Sequence, residues 1–163
     1  MLRPGTRREA DALRAMAARS KQVWGYDDVY MRDWLSEWAD WLTDFARFDV
    51  VVVEQEGSPA GFYALDDLGD GSAELWALFV DPTRLRRGLG RLLMQDAVAR
   101  AKRRKFDALL IHADPNAAAF YQGWQVMLLD ETPCPRVTGQ LLPTFRLPLA
   151  SPGVSRGVRR HGA

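Results

Sequence analysis

Residues 72–101 constrain the fold more than any other part of the chain. A strand-like pattern over residues 72–80 ends at Asp81-Pro82, and Gly88-Leu89-Gly90 then opens a helical pattern. The helix presents one apolar stripe, formed by Leu89, Leu92, Leu93, Ala97 and Ala101. A strand followed by a glycine turn and an amphipathic helix predicts an α/β unit in which the helix packs on a sheet.

The flanking patterns predict the order of the remaining elements. Helical spacing occurs at residues 8–20, 30–45 and 114–121. Strand patterns occur at residues 1–3, 50–54, 60–65, 108–111, 125–129 and 141–147. Together with the central unit they predict a single-domain α/β fold, with a mixed, mostly antiparallel sheet of about six to seven strands and helices on both faces.

Length and composition limit the classes of protein that fit. A chain of 163 residues suits one domain, predicted over residues 1–150. Residues 151–163 are rich in Gly, Ser and Arg and predict a disordered tail, with a basic interaction tail as the alternative. The net charge of +1 argues against a nucleic-acid partner. Cys134 is the only cysteine and no stretch reaches the ~20 apolar residues of a membrane span, so we expect a cytoplasmic protein without a membrane partner.

The glycine turn predicts a phosphate site. Gly88 and Gly90 let backbone amides approach an anion at the positive end of the following helix, and neighbouring arginines add charge. A tight structural turn beside solvated arginines is the alternative. The turn lacks the Gly-Lys-Ser/Thr ending of an ATP-binding P-loop, which argues against a nucleoside triphosphatase.

Three segments of the chain belong together. They are Glu74-Leu75-Trp76-Ala77-Leu78-Phe79-Val80-Asp81-Pro82, the turn at residues 86–91, and Ala113-Asp114-Pro115-Asn116-Ala117-Ala118-Ala119-Phe120-Tyr121. In combination they resemble the GCN5-related N-acetyltransferases. The opening Leu2-Arg3-Pro4 and the closing Leu142-Pro143-Thr144-Phe145-Arg146 also look like bacterial members, so the resemblance spans most of the chain.

The resemblance implies an enzyme that uses acetyl-CoA as donor and a primary amine as acceptor. It implies that the strand at residues 108–111 splays away from its neighbour and leaves a cleft for the thioester. The coenzyme-binding residues implied are Leu78, Phe79, Val80, Arg86, Arg87, Gly88, Leu89, Gly90, Arg91, Asn116 and Phe120. Family members often dimerise, so a homodimer is a further expectation.

Two catalytic residues follow from the same resemblance. Tyr121 is expected to protonate the leaving thiolate, and Glu74 to deprotonate the amine. Each has a plainer alternative, since Tyr121 would also serve as a packing residue and Glu74 as a solvated strand carboxylate whose face Trp76 and Leu78 would share. Direct attack by the amine needs no protein nucleophile.

The acceptor side is predicted from aromatic residues near the first helices. Trp24, Tyr26, Asp27 and Trp38 are the candidate acceptor-binding residues. Core packing of the Trp34, Trp38 and Trp41 stripe and helix capping by Asp27 are the alternatives. His112 is expected to be structural, and no His/Cys/Asp/Glu cluster has metal spacing, so no metal is predicted.

Departures from the family pattern and two other functions stay open. Leu85 and Arg86 stand where members often have Gln or Arg and Gly, and the segment after Tyr121 is short, which predicts an early helix end. A non-catalytic acyl-CoA-binding regulatory module would have the same fold. An acetyltransferase acting on proteins or peptides is the second alternative.

Overall fold

The computed structural model describes residues 1–149, and residues 150–163, with the predicted tail, lie outside them. The strands are β1 (Leu2–Pro4), β2 (Asp49–Gln55), β3 (Ser58–Asp67), β4 (Ser72–Val80), β5 (Ala108–His112), β6 (Met127–Pro133) and β7 (Leu141–Pro148). They form one seven-stranded sheet in the order β1-β2-β3-β4-β5-β7-β6. Only the β4–β5 pair is parallel among these strands, which confirms a mixed, mostly antiparallel sheet.

Helices cover both faces of the sheet, as predicted. They are α1 (Ala10–Gln22), α2 (Asp28–Ser36), α3 (Ala39–Thr43), α4 (Leu89–Arg103) and α5 (Ala118–Gln122). The first three contribute to one hydrophobic cluster, and α4 and α5 contribute to the other, on the opposite face. The early end of the last helix is confirmed, because α5 stops at Gln122. No helix within residues 1–149 combines the length and apolar character needed to cross a membrane.

The single helix predicted for residues 30–45 is wrong. The Asp27 carboxylate accepts a hydrogen bond from the Tyr30 amide, so α2 begins earlier, and the chain leaves the helix at Glu37 and Trp38. There the amides bond three residues back, to Trp34 and Leu35, which tightens the turn. The ring of Trp38 then packs 4.7 Å from that of Trp76 on β4, so tertiary packing overrides helical continuity.

Two other element predictions need correction. Leu92 does not belong to the buried stripe of α4, because it is 38% exposed. Met94 is buried instead, next to the buried stripe residues Leu93 and Ala97. The strand predicted at residues 125–129 begins at Met127. Gln125 has φ of +58°, a left-handed conformation that a strand cannot contain.

A bulge in β4 reorients its side chains. Ala64 pairs with Ala77 and Leu65 with Leu75, so Trp76 has no partner on β3. Leu75 packs in the cluster under α4, whereas Trp76 and Ala77 both pack against the cluster under α1–α3. Alternation resumes after the bulge, so Leu78 lies on the face opposite Glu74, contrary to the shared face predicted from simple alternation.

The central strands separate after Glu74, just before the bulge. β4 pairs with β5 only over Ser72–Glu74 and Ala108–Leu110, while β5 remains paired with β7 along its whole length. The edge of β4 that faces β5 therefore has no strand partner after Glu74 among the described residues. This confirms the splayed central pair and creates a cleft in the middle of the sheet.

Candidate active site

A cavity of about 500 Å³ occupies the cleft between β4 and β5. Residues 74–80 of β4 form one wall, and residues 111–114, at the end of β5 and just after it, form the other. The start of α4 and the α5 segment close one end, and the region of α1–α3 contributes Trp24, Trp34 and Trp38 at the other. The cavity thus connects the predicted coenzyme side with the predicted acceptor side.

The predicted coenzyme-binding residues fall into two groups. Those that line the cavity are Leu78, Phe79, Val80, Gly90, Asn116 and Phe120. Arg86, Arg87 and Gly88 are exposed on the turn, and Leu89 is buried in the core, so only its backbone is available to a ligand. The exposed Arg91 follows in the first turn of α4.

Backbone conformation shapes the turn before α4. Arg86 and Gly88 have φ of +65° and +74°, in the left-handed region, and the first amides of α4 follow directly after Gly88. Arg84 anchors the turn by donating to the Gln55 carbonyl at 3.1 Å and to Ser58 Oγ at 2.9 Å. The result is an exposed loop at a helix N-terminus, the geometry that binds phosphate through main-chain N–H groups.

Tyr121 lies on the cavity wall, in the α5 segment. It is 7% exposed, and its hydroxyl has no hydrogen-bond partner among the described residues. Burial raises the pKa of this phenol well above its ordinary value, so the group stays protonated. A protonated hydroxyl without an internal partner is available to a group that enters the cleft.

Glu74 lies where β4 and β5 begin to separate. Its Oε1 is 3.9 Å from His112 Nε2, and His112 Nδ1 is 2.9 Å from Thr144 Oγ1. Burial raises the pKa of the Glu74 carboxyl, and the charge of His112 acts in the opposite direction. His112 was predicted to be structural, but it lines the cavity beside the predicted base.

The four predicted acceptor residues do not come together. Trp24 and Trp38 line the cavity, whereas Tyr26 and Asp27 are not among its lining residues. Asp27 caps α2, as its plainer alternative predicts. Tyr26 donates to Asp114 Oδ2 at 2.8 Å. Three further aromatic residues line the cavity beside Trp24 and Trp38: Trp34, Trp76 and Phe79.

Lys21 is a site residue that the sequence patterns did not single out. Its Nζ lies 2.5 Å from Asp114 Oδ2 and within 5.2–5.7 Å of the centroids of the Tyr26, Tyr30 and Trp34 rings. Burial alone would raise the pKa of Asp114, but its hydrogen bonds, the one from Lys21 foremost, hold that pKa below its ordinary value. The available signal was the position of Lys21 on the buried face of α1, four residues after Ala17.

The Lys21–Asp114 pair joins α1 to the β5 wall of the cleft. Lys21 belongs to α1, and Asp114 begins the segment that leads to α5. Asn116, a predicted coenzyme-binding residue, donates to Asp114 Oδ1 at 2.9 Å and to the Tyr26 hydroxyl at 3.1 Å. Within residues 1–149, no group of three or more His, Cys, Asp or Glu side chains is placed to hold a metal ion.

The chain matches one family model. The model describes the acetyltransferase (GNAT) family and matches residues 11–124, more than half of the chain. No curated protein sequence matches it.

Solved structures share the fold at low sequence identity. PaiA N-acetyltransferase from Thermoplasma acidophilum, in complex with coenzyme A, is 16% identical with a TM-score of 0.72, covering 89% of this chain and 96% of its own. The ribosomal-protein-S18-alanine N-acetyltransferase from Escherichia coli is 18% identical, with a TM-score of 0.71 and coverage of 95% and 97%. YncA from Salmonella typhimurium, a putative acetyltransferase with its cofactor acetyl-CoA, is 19% identical, with a TM-score of 0.65 and coverage of 94% and 98%.

Proposed function

Because the chain belongs to the acetyltransferase (GNAT) family, with acetyl-CoA as donor substrate, we propose that it acetylates a primary amine in the cleft between β4 and β5. The observation that carries the proposal is the separation of these strands after Glu74, with Tyr121 on the cavity wall. The catalytic domain is proposed to span residues 1–150.

Coenzyme A is proposed to bind mainly through the backbone. Its pantetheine arm would extend along the unpaired edge of β4 at Leu78, Phe79 and Val80, where free main-chain groups offer the hydrogen bonds of an added strand. The pyrophosphate would lie at the N-terminus of α4, bound by the amides of residues 86–91. Arg86, Arg87 and Arg91 add positive charge there, which compensates for the absence of a polar side chain at Leu85.

The proposed reaction is direct attack on the thioester. Glu74 takes a proton from the ammonium group, and the neutral amine forms a bond to the thioester carbon. The oxyanion is stabilised by an amide of β4 near Leu78. When the tetrahedral intermediate collapses, the C–S bond breaks, and Tyr121 gives its proton to the thiolate. The amine's second proton leaves to solvent, the phenolate is reprotonated, and the products are the N-acetyl amine and free coenzyme A.

The acceptor is proposed to be a small amine with an apolar body. Trp24, Trp34, Trp38 and Trp76 line the acceptor side of the cavity, and Glu74 lies at the end where the amine would react. Aromatic faces bind apolar groups and also attract cations, so they suit a protonated amine before it loses its proton. The alternative of a protein or peptide acceptor would require a longer groove leading away from Glu74.

An amine screen tests this proposal. Release of free thiol from acetyl-CoA is followed with aralkyl amines, aliphatic amines, amino acids and peptides, each against a control without amine. We expect release with aralkyl or other apolar amines that exceeds the control. Coenzyme A binding without release for any amine would favour the non-catalytic module instead, and release with peptides alone would favour the peptide acceptor.

A homodimer is also proposed, through the edge strand β6. All seven residues of β6 are exposed, and Met127, Leu128 and Leu129 are each about half exposed. An unpaired edge with apolar side chains accepts another strand, and antiparallel pairing with the β6 of a second copy would satisfy two edges at once.

A further inference from the structure

Two carboxylates face each other beneath the acceptor side of the cleft. Asp66 on β3 is the register partner of Glu74 on β4, so both side chains lie on the sheet face that α1–α3 cover in part. Asp66 is 4% exposed, which keeps its charge poorly screened. Like charges directly opposite each other in an antiparallel pair repel, so the arrangement needs a compensating cation.

Arg47 supplies that cation and is itself held in place. It makes a two-pronged contact with Asp66, from Nε to Oδ1 at 3.1 Å and from Nη2 to Oδ2 at 2.6 Å. Its third nitrogen, Nη1, donates to Asp40 Oδ2 at 3.0 Å, and its guanidinium lies 5.0 Å from the Phe48 ring centroid. This geometry aims the cation at Asp66, one strand away from Glu74.

Two further charged groups face Glu74 from neighbouring strands. His112 on β5 approaches it at 3.9 Å, and Arg146 on β7 shares its sheet face beyond Leu110. The remaining charged groups that line the same cavity have ion-pair partners: Lys21 with Asp114, and Glu37 with Arg136. After burial and His112, the charges of Asp66 and Arg47 are the next influences on the pKa of Glu74, the first raising it and the second lowering it.

We propose that the Arg47–Asp66 pair is a positioning device that sets the pH at which Glu74 becomes a competent base. The inference rests on the proposed function, in which Glu74 deprotonates the acceptor amine. Asp66 makes the Glu74 carboxylate a stronger base than burial alone would, and Arg47 limits that effect. Neither residue lines the cavity, so both act only through Glu74.

The test is a direct titration of Glu74 in the intact protein. The Glu74 side-chain carbonyl is followed by NMR against pH, with Glu74→Gln to assign its signal, and the acid limb of kcat/KM is measured in parallel. In Asp66→Asn, which keeps the shape of the side chain, we expect the Glu74 midpoint and the acid limb to move down by about half a pH unit to one unit. In Arg47→Gln, the two facing carboxylates become a coupled pair, and the higher midpoint moves above the wild-type value.

The controls separate charge from structure. Arg100→Gln breaks another Arg–Asp contact of 2.6 Å, to Asp49 on the α4 face, and should leave both the midpoint and the acid limb unchanged. The two charge variants predict opposite directions, so either one decides the question if the other fails to fold. An unchanged Glu74 midpoint in a folded variant overturns this inference and leaves the proposed function standing. Midpoints that move without the acid limb following overturn Glu74 as the base, and with it the proposed mechanism.

Discussion

Tyr121 and Glu74 differ in what the sequence could say about them. Tyr121 is predicted from a local motif, and its burial and free hydroxyl within the described residues are compatible with that prediction. The environment of Glu74 depends on residues of the two neighbouring strands: Asp66 on β3 and His112 on β5. Pairings across a sheet are set by register, which a local pattern does not contain.

Replacing Tyr121 tests the acid role. In Tyr121→Phe we expect kcat to fall by roughly 100-fold, with little change in the Kd of coenzyme A, because the hydroxyl acts only as the thiolate leaves. Steady-state kinetics and calorimetric titration measure the two quantities. The matched control is Tyr63→Phe, which removes a hydroxyl bonded to Asp96 at 2.6 Å outside the cavity. Wild-type turnover in Tyr121→Phe would exclude the acid role.

Replacing Lys21 tests the ion pair that joins α1 to the β5 wall of the cleft. In Lys21→Met we expect a loss of about 3 kcal/mol in the free energy of unfolding at neutral pH, because Asp114 stays buried with a charge and no cation. Urea denaturation measures the loss. The double variant Lys21→Met/Asp114→Asn should recover most of it, since Asn also caps a helix start. A single variant as stable as wild type would show that the pair contributes little.

The stability lost in Lys21→Met should also depend on pH. In the wild type the pKa of Asp114 is below its ordinary value of 3.8, so the stabilisation is present above that value and is lost as pH falls through the folded pKa. Without Lys21, Asp114 loses the hydrogen bond that lowers its pKa most, so its folded pKa rises and ionised Asp114 contributes less stability above pH 3.8. The difference between the two proteins should therefore be full near pH 7 and should shrink as pH falls below 3.8 and through the folded pKa. A difference that does not vary with pH would contradict this reading.

At the scale of elements, regular patterns are predicted better than interruptions. The strand–turn–helix unit is predicted from its apolar spacing and its glycines, and β4 has the predicted bounds. The break at Trp38 and the bulge at Trp76 are not predicted, because both serve ring packing between elements distant in sequence. The helix and strand propensities of neighbouring residues contain no information about such contacts.

The first turn of α4 gives a test of coenzyme binding that avoids instability. A Cβ on Gly90 would meet Phe120 at 3.6 Å and Val80 at 3.9 Å, ordinary contact distances, so Gly90→Ala should fold normally. We expect its Kd for coenzyme A to rise by about tenfold or more, because the methyl group would obstruct the pyrophosphate. Leu92→Ala, on the same helix and exposed, is the control. Unchanged affinity in Gly90→Ala would place the pyrophosphate elsewhere.

At the scale of the whole molecule, the fold class is predicted from sequence patterns and the splayed pair from the family resemblance, whereas much of the site is not predicted. Lys21 and Asp114 are 93 residues apart, and their contact appears only when the sheet brings α1 beside the segment after β5. Tyr26 was expected in the acceptor pocket but serves this network instead. Buried ion pairs of this kind depend on the assembled tertiary structure.

Self-association is a property of the whole molecule that mutation can test. If β6 pairs with a second copy, Leu128→Lys should convert the dimer to a monomer, since a charge would be buried at the new interface. Light scattering after size exclusion measures the mass. Leu92→Lys places the same charge at an exposed leucine on α4 and should leave the dimer intact. A monomeric wild type at micromolar concentration would rule out this edge as a stable interface.

The stoichiometry of transfer tests the central claim most directly. With the best amine from the screen, free coenzyme A and N-acetyl amine are measured together, by thiol detection and by mass spectrometry, in the wild type and in Glu74→Gln. We predict equal amounts of the two products, no thiol release without amine, and a large loss of rate in Glu74→Gln. Thiol release without an acetylated amine, or bound acetyl-CoA that is never consumed, would contradict acetyl transfer in this cleft.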